Sequence, residues 1–220
     1  MRLRTFVWCT LVAAAVLATA GTAGGGSRGF TAHVTNPWFP LKPGTTYRYT
    51  GVKDGKPSSE VLTVTHRIRT IAGAPCAVVE DRLSIGGRLE ERTTDWYSQD
   101  AAGNVWYFGE ETAELDASGR VKTTEGTWRA SLDGARPGIY MPAHPRIGQT
   151  GQQEYYRGQA EDHFRVVGFL GANALLTEEW TPLEPGVLDH KLYVRGTGTV
   201  LERTVKGGDE LNELVSFSRG

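Results

Sequence analysis

"DWYSQDAAGNVWYFGE", residues 95–110, has the pattern of a single β-hairpin. Two runs rich in Trp, Tyr and Phe flank the polar stretch 100–104, whose residues tolerate turn geometry. Successive side chains of a strand point to opposite faces, so both faces of this hairpin carry aromatic rings. The pattern predicts cross-strand aromatic packing, and it makes the inward face of the hairpin the best candidate for the wall of a pocket.

Short β-prone runs continue on both sides of this hairpin along most of the chain. Turn-forming pairs such as Asp54-Gly55 and Gly86-Gly87 separate them, and no long segment has apolar residues at helical spacing. This rhythm predicts an all-β chain, an antiparallel meander of about ten to twelve strands. Because so large a sheet twists and has unpaired edges, we expect it to close into a lipocalin-like barrel or a strongly curved half-barrel. A two-sheet sandwich is the alternative.

One stretch interrupts the rhythm, "GARPGIYMPAHPRIG" at residues 134–148. Its three prolines and three glycines oppose both a helix and a central strand. The sequence therefore predicts a long loop, which either covers the mouth of a barrel or crosses between two halves of the sheet.

The N-terminus has the pattern of an export signal. Arg2 and Arg4 precede the apolar run 6–17, and Ala18-Thr19-Ala20 supplies the small residues that signal peptidase recognises. The apolar run is too short to cross a bilayer comfortably. Residue 23 is an alternative cleavage point. We expect a secreted or extracytoplasmic protein of the cell envelope, with no stable membrane insertion after processing.

These features divide the chain into three parts. Residues 1–20 are the predicted signal peptide, 21–35 a flexible Gly-rich spacer, and 36–220 a single β domain. Cys9 is lost on processing, which leaves Cys76 as the only thiol and predicts a small buried side chain there. The formal net charge of −1 and the lack of like-charge blocks argue against a nucleic-acid partner.

Five stretches carry a resemblance to a known family. They are "NPWFPLKPGTTYRY", "DWYSQDAAGNVWYFGE", "MPAHPRIG", "QEYYRGQAED" and "EWTPLEPGVLDHKLYV". Together they resemble a family of secreted bacterial proteins, found mainly in actinobacteria, with no assigned activity. The resemblance covers nearly all of the chain after the spacer. It implies an exported β-rich protein and no particular chemistry. The stretch "FPLKPGTTYRY" also looks like the first strand of envelope proteins whose curved sheets cradle lipid.

No standard catalytic, phosphate-binding or zinc motif is present, so any site must combine residues of separate strands. Aromatic side chains with polar tips suit a partly apolar ligand, and carboxylates with histidine suit acid–base catalysis. The predicted ligand-binding residues are His66, Asp81, Tyr97, Trp106, Phe108 and Tyr155. The candidate catalytic residues are Asp95, Glu154, Asp162 and His190. No cofactor and no metal ion are expected, because the histidines show no ligand spacing.

His66 carries the sharpest structural prediction. In a regular strand over 59–71 it is in phase with Leu62, Val64 and Ile68, which places it on the inward face. An inward imidazole needs a polar partner, and Asp81 on the next strand is the first choice.

Three functions follow from these patterns. The first is an exported β-barrel that binds a small, partly apolar molecule in an aromatic-lined pocket. The second is an acid–base enzyme, of hydrolase, isomerase or cyclase type, that acts on a small molecule inside the barrel. The third is an interaction module of the cell envelope.

Overall fold

The computed structural model describes residues 29–219. The predicted signal peptide, Cys9 and the glycine-rich start of the spacer lie outside these residues. The described residues form sixteen β-strands, and none of them belongs to a helix that could cross a membrane. The strands are β1 Phe30–Thr31, β2 Thr46–Lys53, β3 Lys56–Ile71, β4 Ala74–Ile85, β5 Arg88–Asp100, β6 Val105–Leu115, β7 Val121–Thr123, β8 Trp128–Arg129, β9 Arg136–Met141, β10 Thr150–Gln152, β11 Glu154–Tyr155, β12 His163–Leu170, β13 Ala174–Trp180, β14 Leu188–Val194, β15 Gly198–Lys206 and β16 Leu211–Ser218.

All strands join one antiparallel sheet that curves into a nearly closed barrel. The order around the sheet is β10-β12-β13-β14-β15-β16-β2-β3-β4-β5-β6-β9-β11, and β1, β7 and β8 attach to β5 and β6. The predicted all-β antiparallel barrel is therefore confirmed. The strand number exceeds the prediction because the segments after β6 break into short pieces, several of which pair with different parts of that one long strand.

The first and last long strands of the domain pair with each other. β16 lies beside β2 with Asn212 opposite Gly51. A Cβ atom on Gly51 would lie 1.6 Å from the carbonyl oxygen of Leu211. Only glycine allows the two backbones to come this close.

The barrel is completed on its other side by residues 150–155. Gln152 of β10 pairs with β12, whereas Glu154 of β11 pairs with Pro137 of β9. A single short segment therefore connects the two ends of the sheet. A Cβ atom on Gly138 would lie 2.4 Å from the carbonyl oxygens of Gln152 and Gln153. The contact between β9 and this segment thus also requires a glycine.

The prediction of an irregular loop over 134–148 is wrong for residues 136–141, which form β9, whereas residues 142–148 are irregular. β9 pairs with β6 on one edge and with β11 on the other. Pro137 is tolerated because its pairing involves only the two residues of β11, so few ladder hydrogen bonds depend on its missing N–H. Gly138 is tolerated for the close approach described above.

Residues 34–41, here called the entry segment, lie across one end of the barrel. Asn36 Nδ2 donates to the carbonyl oxygens of Gly103 and Pro142, at 3.0 and 3.1 Å. The backbone N–H of Gly196 donates to the carbonyl oxygen of Pro37. The segment thus connects the β5–β6 and β14–β15 turns, and it begins inside the predicted spacer, which ended at residue 35.

The buried side chains belong to both faces of the sheet. Trp96 and Phe108 are buried on the outer face near β1, and Val64, Val79 and Tyr193 are buried inside. Cys76 is free and fully buried, and burial raises the pKa of its thiol to about 12. It is a packing residue, as the sequence predicted.

Candidate functional site

Two adjoining cavities occupy the barrel. The aromatic cavity, about 240 Å³, lies under the entry segment and contacts Phe39, Tyr49, Tyr97 and Tyr140. The acidic cavity, about 210 Å³, lies towards the opposite end near the β2–β3 and β15–β16 turns. Four residues border both cavities and form their junction: Glu60, Asp81, Glu202 and Asn212.

One wall of the cavities, on β13 to β15, carries a complete ion network, here called the paired wall. Lys191 Nζ lies 3.0 Å from Glu179 Oε2 and 3.2 Å from Glu202 Oε1. Glu179 Oε1 also accepts hydrogen bonds of 3.0 Å from the hydroxyls of Thr177 and Tyr193. Burial lowers the pKa of Lys191, but Glu179 and Glu202 outweigh it and hold the pKa above its usual value. Lys191 is therefore protonated, and its positive charge is balanced by Glu179 and Glu202.

The opposite wall, on β3 to β5, consists of Glu60, Asp81 and Asp95 and is here called the acid wall. Leu62, two residues after Glu60, pairs with Asp81, and Val79, two residues before Asp81, pairs with Asp95. The three carboxyl groups therefore lie on a diagonal across three neighbouring strands of the inner face. No lysine or arginine of the described residues forms an ion pair with any of them.

The acid wall is also incompletely hydrogen-bonded. Glu60 accepts a hydrogen bond from Asn212 Nδ2. The Oδ1 atoms of Asp81 and Asn212 are buried without a hydrogen-bond partner among the described residues. Burial, together with the neighbouring Glu60, raises the pKa of Asp81 well above its ordinary value.

Asp95 connects the acid wall to the aromatic hairpin. The Tyr107 hydroxyl lies 2.6 Å from Asp95 Oδ1 and 3.2 Å from Glu110 Oε2. Burial raises the pKa of Asp95 to about 7, although the hydrogen bond from Tyr107 opposes this. Burial and Asp95 likewise raise the pKa of Glu110. Neighbouring buried acids cannot all be ionised at low cost, so protons are shared along this row near neutral pH.

Aromatic rings line the hairpin side of the aromatic cavity. Tyr97 and Tyr107 face each other across β5 and β6, with centroids 4.7 Å apart and planes inclined by 16°. Tyr140 packs edge-on against Tyr97 at 5.2 Å and lies 4.5 Å from Phe39 of the entry segment. The inward face of the hairpin thus borders a cavity, as the sequence predicted, and ligand binding there stays a prediction.

Three of the ten predicted site residues, Asp81, Asp95 and Tyr97, border the aromatic cavity. Glu154 is buried on β11 beside Trp128, and it borders neither cavity. Burial and Asp162 raise the pKa of Glu154 to about 8.

His66 does not face inward, and its predicted contact with Asp81 is wrong. β3 leaves its register with β4 between Val64 and Ile68. The irregularity ends the alternation on which the prediction depended, because residues 65–67 lie outside the ladder. His66 is exposed, as is Ile68 at 66%. Asp81 pairs instead with Leu62.

The remaining predicted residues lie away from the cavities. Trp106 is half-buried on the outer face of the hairpin, where its Nε1 donates to Asp100 Oδ2 at 2.8 Å. Phe108 is buried against Phe30, with ring centroids 5.3 Å apart. Tyr155 lies under the guanidinium group of Arg136.

Two of the four candidate catalytic residues are likewise outside. Asp162 is exposed in the loop before β12. His190 lies on the outer face of β14, with its Nε2 atom 3.5 Å from Glu178 Oε1. The four residues therefore do not form one catalytic group. Within residues 29–219, no cluster of three or more His, Cys, Asp or Glu side chains has the geometry to hold a metal ion.

Sequence reasoning missed Glu60, Tyr140, Lys191 and Glu202. Glu60 and Lys191 had a usable signal, because each lies two residues from an inward side chain of its strand, the partly buried Leu62 or the buried Tyr193. Tyr140 was missed because its stretch was interpreted as a loop.

No family model and no curated protein matches the chain. Two solved structures do. One is a predicted exported protein with a YMCC-like fold from Bacteroides fragilis, 13% identical, with a TM-score of 0.45; the match covers 83% of this chain and 99% of that one. The other is a predicted lipoprotein from Parabacteroides distasonis, 9% identical, with a TM-score of 0.40 and the same coverage. Likeness at this level supports no conclusion about function. The actinobacterial and lipocalin resemblances stay predictions.

Proposed function

We propose that this protein is an exported β-barrel that binds a small, partly apolar molecule in its two cavities. The observation that carries the proposal is the polar, incompletely satisfied interior. Natural barrels fill their interiors with interlocking side chains unless they hold a ligand or water. Here Tyr and Phe rings line one side of a space whose other side is polar and acidic, which suits a ligand that has both an apolar body and a polar group.

The unsatisfied oxygens support the same proposal. A buried polar atom without a partner costs about 1 to 3 kcal/mol, so such atoms call for an explanation. Asp81 Oδ1 and Asn212 Oδ1 both belong to residues at the junction of the cavities. A ligand with donor groups would satisfy them.

The test is native mass spectrometry of protein purified from its own producing organism without refolding. We expect a mass exceeding that of the chain by one small molecule, and loss of that difference on denaturation. A matched pair of variants adds a second readout: Leu62→Trp fills the aromatic cavity, and Leu132→Trp adds the same ring at an exposed site. An extract of the organism should raise the Tm of the wild type and of Leu132→Trp, but not of Leu62→Trp. An empty native protein that extract does not stabilise would contradict binding.

Export rests on the N-terminal pattern alone. Intact-mass analysis of protein from the envelope or the medium should show a chain that begins at Gly21 or Gly24. Recovery only from the cell interior, with residues 1–20 retained, would contradict it.

A second candidate function is acid–base catalysis, which is favoured by the pKa and the position of Asp95. Its pKa of about 7 suits proton transfer at neutral pH, and it borders the aromatic cavity. Incubation of host extract with the wild type and with Asp95→Asn tests this. A compound consumed by the wild type alone supports catalysis, whereas identical extracts leave binding as the function.

A further inference from the structure

We propose that the ligand is a small organic amine, with its ammonium group at the junction of the cavities and its apolar body among the aromatic rings. This inference rests on the proposed binding function and specifies the chemical class of the ligand. It is carried by three observations: the charge of the lining, the position of the unpartnered oxygens, and the placement of the rings.

The lining has a large excess of acidic groups. Seven carboxyl groups and two lysines border the cavities. Lys191 is neutralised by Glu179 and Glu202, and Lys53 lies at the acidic end, 3.6 Å from Glu210. Neither lysine forms an ion pair with the acid wall. Buried charges are stable only when they are paired, so this wall is complementary to a cation that the described residues do not supply.

The unpartnered oxygens define where the cation binds. Asp81 Oδ1 and Asn212 Oδ1 are acceptors without donors, and Glu60 stands beside both residues at the junction. An ammonium group has three N–H donors and no acceptor, which matches this set of groups. A carboxylate or phosphate would bring further acceptors to a site that already has too many.

The rings favour an organic cation over a bare metal ion. Tyr49, Tyr97 and Tyr140 border the same cavity as Asp81, together with Phe39. Aromatic faces attract ammonium groups and also cover the carbon atoms attached to them. The volume of about 240 Å³ lies below the usual range for drug-sized ligands, so the aromatic cavity suits a compact molecule with one ring or a short chain.

Three probes with the same ring and chain length separate the possibilities: 2-phenylethylamine, 2-phenylethanol and phenylacetate. Binding to the processed protein, freed of endogenous ligand by dialysis, is measured by isothermal titration calorimetry and by the shift in Tm. We expect the amine to bind at least about tenfold more tightly than the alcohol, the worth of one charge-assisted hydrogen bond. We expect no binding of phenylacetate.

Two variants and one control locate the ammonium group. Asp81→Asn and Glu60→Gln should each weaken amine binding by about tenfold or more and leave the affinity for the alcohol unchanged. Glu213→Gln removes a carboxylate from the exposed outer face of β16, next in sequence to Asn212, and should change neither. Circular dichroism confirms the fold of each variant.

The outcomes distinguish this inference from the function on which it rests. Equal or tighter binding of the alcohol or of phenylacetate overturns the amine assignment and leaves small-molecule binding intact. Binding of Mg²⁺, Ca²⁺ or Zn²⁺ alone that Asp81→Asn abolishes, or failure of all three probes at millimolar concentration, also overturns it. The binding function itself fails only if the native protein is empty and host extract does not stabilise it.

Discussion

The two walls of the barrel interior differ in whether their buried acidic groups have an ion-pair partner. On the paired wall, Lys191 lies between Glu179 and Glu202, and hydroxyl groups complete the hydrogen bonds of Glu179. On the acid wall, Glu60, Asp81 and Asp95 stand on adjacent strands without an ion-pair partner among the described residues. A charge whose partner is in the chain contributes to the structure. A row of acids without an ion-pair partner among residues 29–219 weakens the structure, and this cost is the reason for the proposal that the row binds a ligand.

The largest expected effect comes from breaking the paired wall. Lys191→Met should lower the free energy of unfolding by about 3 to 5 kcal/mol, because it leaves buried carboxylates without a countercharge. Urea denaturation at pH 7 measures it. Lys53→Met is the matched control, since its partially exposed pair with Glu210 should contribute about 1 kcal/mol or less. Equal losses in the two variants would show that the buried Lys191 network contributes no more than a partially exposed ion pair.

The acid wall should make stability depend on pH in the opposite sense to that of a salt-bridged carboxylate. The pKa of Asp95 is raised from 3.8 to about 7 by burial. The folded state therefore binds the proton more tightly than the unfolded state, and stability falls as pH rises from about 4 through 7. Asp95→Asn should flatten this slope and stabilise the protein at pH 8 by roughly 2 to 4 kcal/mol. Denaturation curves at several pH values check it, and an unchanged slope in the variant would contradict it.

Asp81→Asn should stabilise the ligand-free protein, by about 1 to 2 kcal/mol at pH 7. The substitution removes an acid whose ionised form is disfavoured by burial and by Glu60, and it supplies an N–H donor to the Glu60 carboxylate. Chemical denaturation of the dialysed protein measures the gain, with Glu213→Gln as the exposed control. A loss of stability would mean that the Asp81 carboxylate has a structural partner.

The smallest effect belongs to His66→Leu, which should change the free energy of unfolding by no more than about 0.5 kcal/mol because the side chain is exposed. Val64→Ala, two residues away and fully buried, should cost about 2 kcal/mol. Thermal denaturation compares them. A large effect of His66→Leu would place the histidine back among the inward residues.

The local signals of the sequence predicted most of the long strands well. The hairpin at 95–110, the turns at Asp54-Gly55 and Gly86-Gly87 and the alternating strand over 59–71 all form near their predicted positions. These features depend on neighbours in sequence, namely side-chain alternation and turn chemistry. β9 was missed because Pro137 and Gly138 oppose a strand unless the partner backbone permits them, and that partner, at 152–155, lies further along the chain.

The site was predicted only in part for a related reason. Asp95 and Tyr97, both predicted site residues, do lie on the inner face, but alternation failed at His66 because an irregularity in β3 takes residues 65–67 out of the ladder. His190 and Asp162 looked promising by composition alone. The contrast between a paired and an unpaired wall depends on which strands face each other across the barrel, and residue spacing carries no information about that.

The pairing of β2 with β16 has a consequence for the order in which the molecule folds. Synthesis delivers β2 early, and its hairpin with β3 can form at once, but its other edge has no neighbour until the last strand of the domain has been made. During that interval the growing chain carries a free strand edge of the kind that recruits other chains into aggregates. Closing the ring also means joining residues some 160 positions apart, a slow, non-local step. The pairing of β2 with β16 at Gly51 therefore forms last. A chain that ends before residue 211 would keep its hairpins but would leave this edge of β2 permanently exposed.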